Sequence, residues 1–337
     1  MDDRADLTLD DELRATLAAR LDGIAPKQAA RAVERLIASY RGRTPTDAPV
    51  LRDEADVTAY AAYRMPATFQ AVRAALAAFR ARAGEWAPRS HLDVGGGTGA
   101  ATWAVADAWP QPYTATVLDW AQPALDLGQA LAAGASHLAL RTARWQRQAI
   151  GAALTLPAAD LVTVSYVLGE LADADRESVI AAAATAGRAV LVAEPGTPAG
   201  YARILEARAR LTQAGFTVLA PCPHGDSCPL TGDDWCHFAA RVSRSALHRQ
   251  VKGGQLAYED EKFSYVAAIR DLPGAGPAAG RVVRHPQIRK GQVLLDLCEA
   301  DGAVRRTTVS KRHGDLYRAA RDTDWGDPWP PPQPDAG

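Results

Sequence analysis

The chain has 337 residues, 47% of them hydrophobic and 23% charged, with a formal net charge of −1. These proportions exclude wholesale disorder, a collagen and a bare disulfide scaffold, and the length admits about two domains. No apolar run reaches the ~18 residues needed to span a bilayer, so no membrane association is expected.

The first residues, Met1-Asp2-Asp3-Arg4-Ala5-Asp6, are acidic. A secretory signal needs a basic start and an apolar core, and a transit peptide avoids acids. The expected location is therefore the cytoplasm. The near-zero net charge conceals a basic stretch: from Cys236 to Arg321 there are 16 Lys/Arg against 8 Asp/Glu. Such a stretch suits either a polyanion-binding face or an ordinary solvated surface. The Arg-heavy, Ala-heavy usage fits a GC-rich bacterial genome, so the Arg excess alone says nothing about function.

Residues 1–84 read as helical. Asp10 and Asp11 are candidate caps for a first helix carrying Leu13, Leu17 and Leu21; Ala29, Val33, Leu36 and Ile37 mark a second. A third spans 53–82, with a break expected near Met65 because Pro66 lacks a backbone donor. From residue 85 strands and helices alternate. Strands are expected at 91–94, 114–118, 160–165 and 189–193, and helices at 101–108, 175–186 and 199–214. That alternation implies a parallel sheet covered on both faces, an α/β fold. Two further strands, 216–220 and 263–269, flank an irregular insertion at 221–262. A Gly/Pro linker after Pro273 leads to a small β extension (273–325), with a hairpin signal at Glu299-Ala300-Asp301-Gly302. The proline-rich tail, 326–337, is expected to be disordered.

The stretch Asp93-Val94-Gly95-Gly96-Gly97-Thr98-Gly99 ends a strand and opens a helix. Alternating glycines let backbone approach a ligand, and a helix N-terminus offers free N–H groups. Gly95, Gly97 and Ala100 fit a dinucleotide fingerprint. Asp93, Gly95, Gly97 and Gly99 instead resemble the S-adenosylmethionine loop of class I methyltransferases. An acid in the loop repels a pyrophosphate and suits a cationic amino-acid end, so Asp93 favours adenosylmethionine. Asp119, ending the second strand, would take ribose hydroxyls. The exit loop of the 160–165 strand holds Tyr166, able to stack a base, and Glu170, a candidate general base. It lacks both the Asn/Asp-Pro-Pro-aromatic signature of amino methylation and the Cys nucleophile of cytosine C5 methylation.

The four cysteines, Cys222, Cys228, Cys236 and Cys298, have the spacing C-x5-C-x7-C-x61-C. A reducing cytoplasm disfavours disulfides. Four thiolates can close a zinc site or hold an iron–sulfur cluster; paired zinc knuckles are missing, and the wide gaps suit a cuboidal cluster better. His224 and His237 are further donor candidates, and independent buried thiols are the bland alternative.

Several blocks carry a family resemblance: Tyr63-Arg64-Met65-Pro66, Cys222-Pro223-His224, Cys228-Pro229-Leu230, Asp234-Trp235-Cys236-His237-Phe238, Glu259-Asp260-Glu261-Lys262-Phe263-Ser264-Tyr265, Arg284-His285-Pro286, Leu297-Cys298, Ser310-Lys311-Arg312 and Trp325-Gly326-Asp327. In this order they resemble the methyltransferase-like family associated with the small ribosomal subunit. The resemblance implies a seven-stranded class I methyltransferase core that binds S-adenosylmethionine. It also implies a [4Fe-4S] cluster on Cys222, Cys228, Cys236 and Cys298, with zinc as the alternative metal. The expected partners are the small subunit or its precursor and ribosomal RNA. Arg241, Arg244, Arg249, Lys252, Arg284, Arg289, Lys290, Lys311 and Arg312 are the candidate phosphate contacts. The expected activity is ribosomal RNA methylation. A non-catalytic assembly factor and a dinucleotide-dependent oxidoreductase with an iron–sulfur centre remain as alternatives.

Overall fold

The structure, a computed structural model, describes residues 7–22, 24–41, 54–230, 232–252 and 256–331. Three helices come first: α1 (Leu9–Leu21), α2 (Pro26–Arg41) and α3 (Glu54–Ala83). The cap of α1 is Thr8, not Asp10 or Asp11. The Thr8 hydroxyl accepts from the Asp11 N–H, and the Asp11 carboxylate accepts from the Thr8 N–H, a reciprocal capping box. The break expected near Met65 does not occur, because α3 runs through Pro66 for 30 residues. A helix-interior proline costs about 3 kcal/mol. Met65, Phe69, Val72, Leu76 and Phe79, all buried on this helix, each contribute about 1.5–3 kcal/mol. Packing therefore outweighs the lost bond.

The core then alternates β1 (Ser90–Val94), α4 (Ala100–Ala108), β2 (Thr114–Asp119), α5 (Gln122–Ala132), α6 (Leu138–Arg141), β3 (Arg144–Arg147), β4 (Ala159–Ser165), α7 (Asp173–Ala186), β5 (Gly187–Pro195), α8 (Pro198–Gln213) and β6 (Thr217–Ala220). After the cysteine loop come β7 (Phe238–Ser243), α9 (Ala246–Lys252) and β8 (Tyr258–Ile269). Among the described residues the large sheet has eight strands, ordered β3-β2-β1-β4-β5-β8-β6 with β7 on β8, where seven were expected. β1 to β5 are parallel, and β8 runs antiparallel to β5, β6 and β7. The eighth strand is possible because β8 extends for 12 residues, and its first half, beyond β6, takes β7 as partner. β7 alternates buried Phe238, Ala240 and Val242 with outward Ala239, Arg241 and Ser243. One apolar cluster packs α3 and α4 on one face of the sheet, and another packs α7 and α8 on the other.

The extension forms a second sheet from β9 (Gly280–Val282), β10 (Gln287–Arg289), β11 (Gln292–Glu299), β12 (Val304–Ser310) and β13 (Pro328–Trp329), with α10 (Asp315–Asp322) between the last two. It has its own core of Val282, Val293, Leu295, Leu297, Val309, Ala320 and Trp329. The tail expected to be disordered is therefore partly ordered. Pro328 and Trp329 pair with Arg281 and Gly280, and the buried Trp329 ring supplies apolar surface that a proline-rich composition conceals. Residues 332–337 of that tail lie outside the described residues. Among the described residues no helix is long and apolar enough to cross a membrane.

Candidate cofactor pocket and cysteine site

The glycine loop lies where β1 ends. Gly95, Gly97 and Gly99 have φ of 67°, 53° and 84°, a region that side chains disfavour. Space forbids a side chain as well: a Cβ on Gly95 would stand 2.5 Å from Val167 Cγ2, and one on Gly99 2.6 Å from Trp145 Cη2. The Gly95 and Gly96 amides donate to the Leu118 carbonyl, and the Gly97 amide donates to Asp119 Oδ2 at 2.9 Å. Asp119 Oδ1 accepts from the Ala121 amide at 2.8 Å. Burial raises the Asp119 pKa, opposed by these amide bonds.

The loop lines a cavity of about 460 Å³, within the ~300–1,000 Å³ usual for small-molecule sites. Residues 95–98, 119–124 and 165–167 make its floor and ends, and α3 closes it with Tyr60, Arg64, Met65 and Thr68. The cavity sits at the carboxyl ends of β1, β2 and β4, where open α/β sheets bind ligands. Asp93 is not in its wall. The carboxylate is fully buried beneath the loop and accepts from Thr163 Oγ1 at 2.8 Å and Thr102 Oγ1 at 3.0 Å. Burial pushes its pKa up to about 6 despite both bonds.

Tyr166 and Glu170 do line the cavity. Tyr166 sits at φ 58°, and its hydroxyl donates to Glu261 Oε1 at 3.1 Å. Arg64 grips the same carboxylate, Nη2 to Oε1 at 3.0 Å, with its guanidinium 5.5 Å from the Tyr166 ring centroid. Burial, then the Glu261 charge, holds the Tyr166 hydroxyl well above its ordinary pKa, so it is protonated at neutral pH and cannot act as a base. Arg64 and Glu261 both stand in blocks visible in the sequence, but a separation of 197 residues hid their pairing. Glu194 was also missed. It is fully buried, accepts from the Leu168 amide at 3.1 Å and Arg203 Nε at 2.7 Å, and so fastens the turn (Leu168–Glu170) that carries Glu170. A charge ending the apolar run of β5 was its one sequence signal.

A larger cavity of about 560 Å³ lies between α1, α2, α3 and the β7–α9 connection. Its lining is mostly apolar, with Arg14 bound to Asp10 and Arg244 bound to Glu259. Among the described residues its lining includes no glycine loop.

All four cysteines are free thiols. Cys222 follows β6, Cys228 lies in the loop, Cys236 precedes β7, and Cys298 comes from β11 of the other sheet. Cys298 is brought to the loop that begins at Cys222 through its neighbour in register, Arg281, whose Nε donates to the Pro221 carbonyl at 2.9 Å. Burial first, then the neighbouring Cys222, Cys228 and Cys298 thiols, raises Cys236 well above the usual thiol range. Burial and the Cys222 and Cys228 thiols push Cys298 up to about 12. His224 Nε2 lies 3.5 Å from Cys298 Sγ, and the His237 ring stacks on Trp235 at 5.2 Å. Among the described residues no three His, Cys, Asp or Glu side chains come close enough to share one metal ion.

The strand order departs from the dinucleotide order 3-2-1-4-5-6 by an antiparallel strand between the fifth and sixth. With a glycine loop at the edge of β1, this order defines a class I methyltransferase fold. The chain belongs to the family described as mitochondrial small ribosomal subunit Rsm22, whose model matches residues 54–330. It is 30% identical over 294 residues to the human ribosome assembly protein METTL17, mitochondrial, covering 82% of this chain and 63% of that protein. It therefore spans under two thirds of that relative's length. The Saccharomyces cerevisiae ribosome assembly protein RSM22, mitochondrial, is 24% identical over 177 residues, 33% of this chain and 28% of that protein. Among solved structures, an O-methyltransferase family protein from Burkholderia thailandensis superposes with a TM-score of 0.43 at 16% identity, covering 78% of this chain and 73% of that one.

Proposed function

We propose that this chain binds S-adenosylmethionine and acts on the small ribosomal subunit or its precursor during assembly, with methyl transfer to ribosomal RNA as the matching reaction. The observation that carries this reading is the intact cavity walled by the glycine loop and Asp119. Asp119 has lone pairs left over for ribose hydroxyls. Arg64 faces the cavity and would meet the carboxylate of the amino-acid end. Asp93 supports the loop from below rather than touching ligand. Bound adenosylmethionine supplies an activated methyl group, so the protein's task is orientation and exclusion of water. Tyr166 and Glu261 hold each other, which favours an acceptor that needs little help from a base, a ring nitrogen or amino group, over a ribose hydroxyl. The same fact favours a second reading, a non-catalytic assembly protein, as the relatives' names describe. Titration calorimetry with adenosylmethionine and with NAD tests the pocket: tight binding of NAD alone sinks the proposal in favour of an oxidoreductase. Single-turnover assays with a labelled methyl donor and immature subunits separate enzyme from assembly factor.

We also propose that Cys222, Cys228, Cys236 and Cys298 hold a [4Fe-4S] cluster. The donor set supports it: four free thiols, three half-buried ones from the loop beside the large sheet and the buried Cys298 from the small sheet. A single zinc ion needs its donors around one point, whereas a four-iron core is wider and accepts donors further apart. When bound, the cluster ties the two sheets together and can store an electron. Anaerobic purification with an absorption spectrum and iron, sulfide and zinc analysis is the test.

For RNA contact, the candidate cations divide. Arg241, Arg244 and Arg284 are engaged by Asp260, Glu259 and Asp234. Arg249 donates to the Arg244 carbonyl, and the Lys252 side chain lies outside the described residues. Arg289, Lys290, Lys311 and Arg312 are exposed and gathered at one end of the small sheet, where the Lys311 amide bonds the Gly291 carbonyl. These four are the proposed phosphate contacts. The relatives named above are mitochondrial, so the cytoplasmic bacterial location expected from the sequence has no support from them. Immunolocalisation in the source cell decides between cytoplasm and mitochondrial matrix.

A further inference from the structure

Two arginines sit beside the cysteines, and among the described residues neither is ion-paired with a carboxylate. Arg208, on α8, is 6% exposed, and Arg281, on β9, is 3% exposed. Arg208 Nη2 donates to the carbonyls of His224, at 2.9 Å, and Asp226, in the loop between Cys222 and Cys228. Its Nε is buried with no partner. Arg281 donates from Nε to the Pro221 carbonyl at 2.9 Å and from Nη1 to the Gly326 carbonyl at 2.8 Å. Neither makes an ion pair among the described residues. Carbonyls satisfy N–H groups, but they leave the net charge of a buried cation uncompensated, and an unpaired buried charge is strongly destabilising.

The missing negative charge cannot come from the thiols alone. A neutral thiol carries no charge to offset the two guanidiniums. A metal centre on four thiolates reverses this, because its ligand charges exceed those of a divalent ion or a four-iron core and the whole is anionic. We infer that Arg208 and Arg281 are the electrostatic counterpart of an anionic metal–thiolate centre on Cys222, Cys228, Cys236 and Cys298, stabilising it in the reduced, more negative state. The two cations approach from different sheets, Arg208 from beside the large one and Arg281 from the small one. Charge balance and docking of the extension are thus one event. Both residues are positioning residues, since they act through the ligands and their loop. The inference rests on the cluster proposed above.

The experiment uses the full chain, purified anaerobically, as wild type and as Arg208→Gln, Arg281→Gln, Arg208→Lys and Arg281→Lys. Iron and sulfide content, retention against a chelator and the midpoint potential are measured. Removing a nearby cation disfavours the extra electron, so both Gln variants should shift the potential to more negative values and lose iron faster. The Lys variants keep the charge and should stay near wild type. A purely structural role in bonding carbonyls predicts instead that Lys and Gln variants fail alike, with no shift in potential in whatever cluster remains. Should Arg208→Gln not fold, Arg281→Gln gives the same reading independently. A wild-type cluster whose potential and retention are unmoved in the Gln variants overturns this inference and leaves the cluster standing. Wild-type protein without iron and sulfide overturns both.

Discussion

The glycine-loop pocket and the cysteine site solve the same problem, buried charge, in opposite ways. At the pocket the partners are internal: Arg64 and Tyr166 meet on Glu261, Arg203 meets Glu194, and Asp93 is held by two threonines. At the cysteine site Arg208 and Arg281 donate to carbonyls, and the four thiols beside them are free. The first region is organised before any ligand arrives. In the proposed reading, the second is completed only by its metal centre. A preformed pocket should therefore tolerate loss of its ligand, whereas the cysteine site couples its occupant to folding.

The sharpest way to break this contrast is Cys298→Ser. Bound iron should fall to background, and the small sheet should come loose from the large one at a cost of several kcal/mol, because ligation and docking are one free energy. Since the extension keeps its own apolar core, limited proteolysis should cut first near the linker after Pro273 rather than within β11. Unchanged iron and protease resistance would refute the coupling.

Gly95→Ala attacks the preformed side. Positive φ and the close approach of Val167 should cost about 2–4 kcal/mol in denaturant unfolding and remove adenosylmethionine binding, with iron content unchanged. Iron loss in this variant would show that the two regions are not independent.

Asp93→Asn tests a buried acid through pH. The folded pKa of about 6 lies above the ordinary 3.8, so the fold favours the neutral form. The stability owed to Asp93 is complete below about pH 4 and is lost as pH rises through 6. The Asn variant should be more stable than wild type by up to about 3 kcal/mol at pH 7, and the difference should close as pH falls to 4. A difference that grows towards low pH reverses the assignment.

The smallest effect on stability belongs to the exposed cations. Lys290→Glu with Lys311→Glu should leave unfolding within about 0.5 kcal/mol of wild type. The same pair should flatten the salt dependence of RNA binding, by roughly 0.7 in log–log slope for each phosphate contact to single strands. Reversal of Arg241, already held by Asp260, should change the slope less. Equal slopes for both variants would remove the proposed tip.

Much of the fold was legible because its signals are local. The glycine loop needs positive φ at alternate residues, and only glycine meets that without strain, so three positions announce a turn and a pocket together. Apolar runs marked β1, β2, β4 and β5. Other elements escaped for stated reasons. β3, Arg144–Arg147, is a charged edge strand with no apolar run, and such edges are polar because polarity discourages further pairing. β7 alternates with period two but lies among cysteines, histidines and prolines that read as a loop. The continuity of α3 through Pro66 depended on apolar neighbours from elsewhere in the chain.

By itself the sequence determined the family, the alternating core and the glycine loop, since each is carried by residue types at short or ordered spacing. Only the tertiary structure decided that Asp93 lies under the loop while Asp119 faces the cavity, that Arg64 and Glu261 meet across 197 residues, and that two buried arginines flank the cysteines. Burial and charge balance arise between segments that are distant along the chain, and no local pattern encodes which of them will meet.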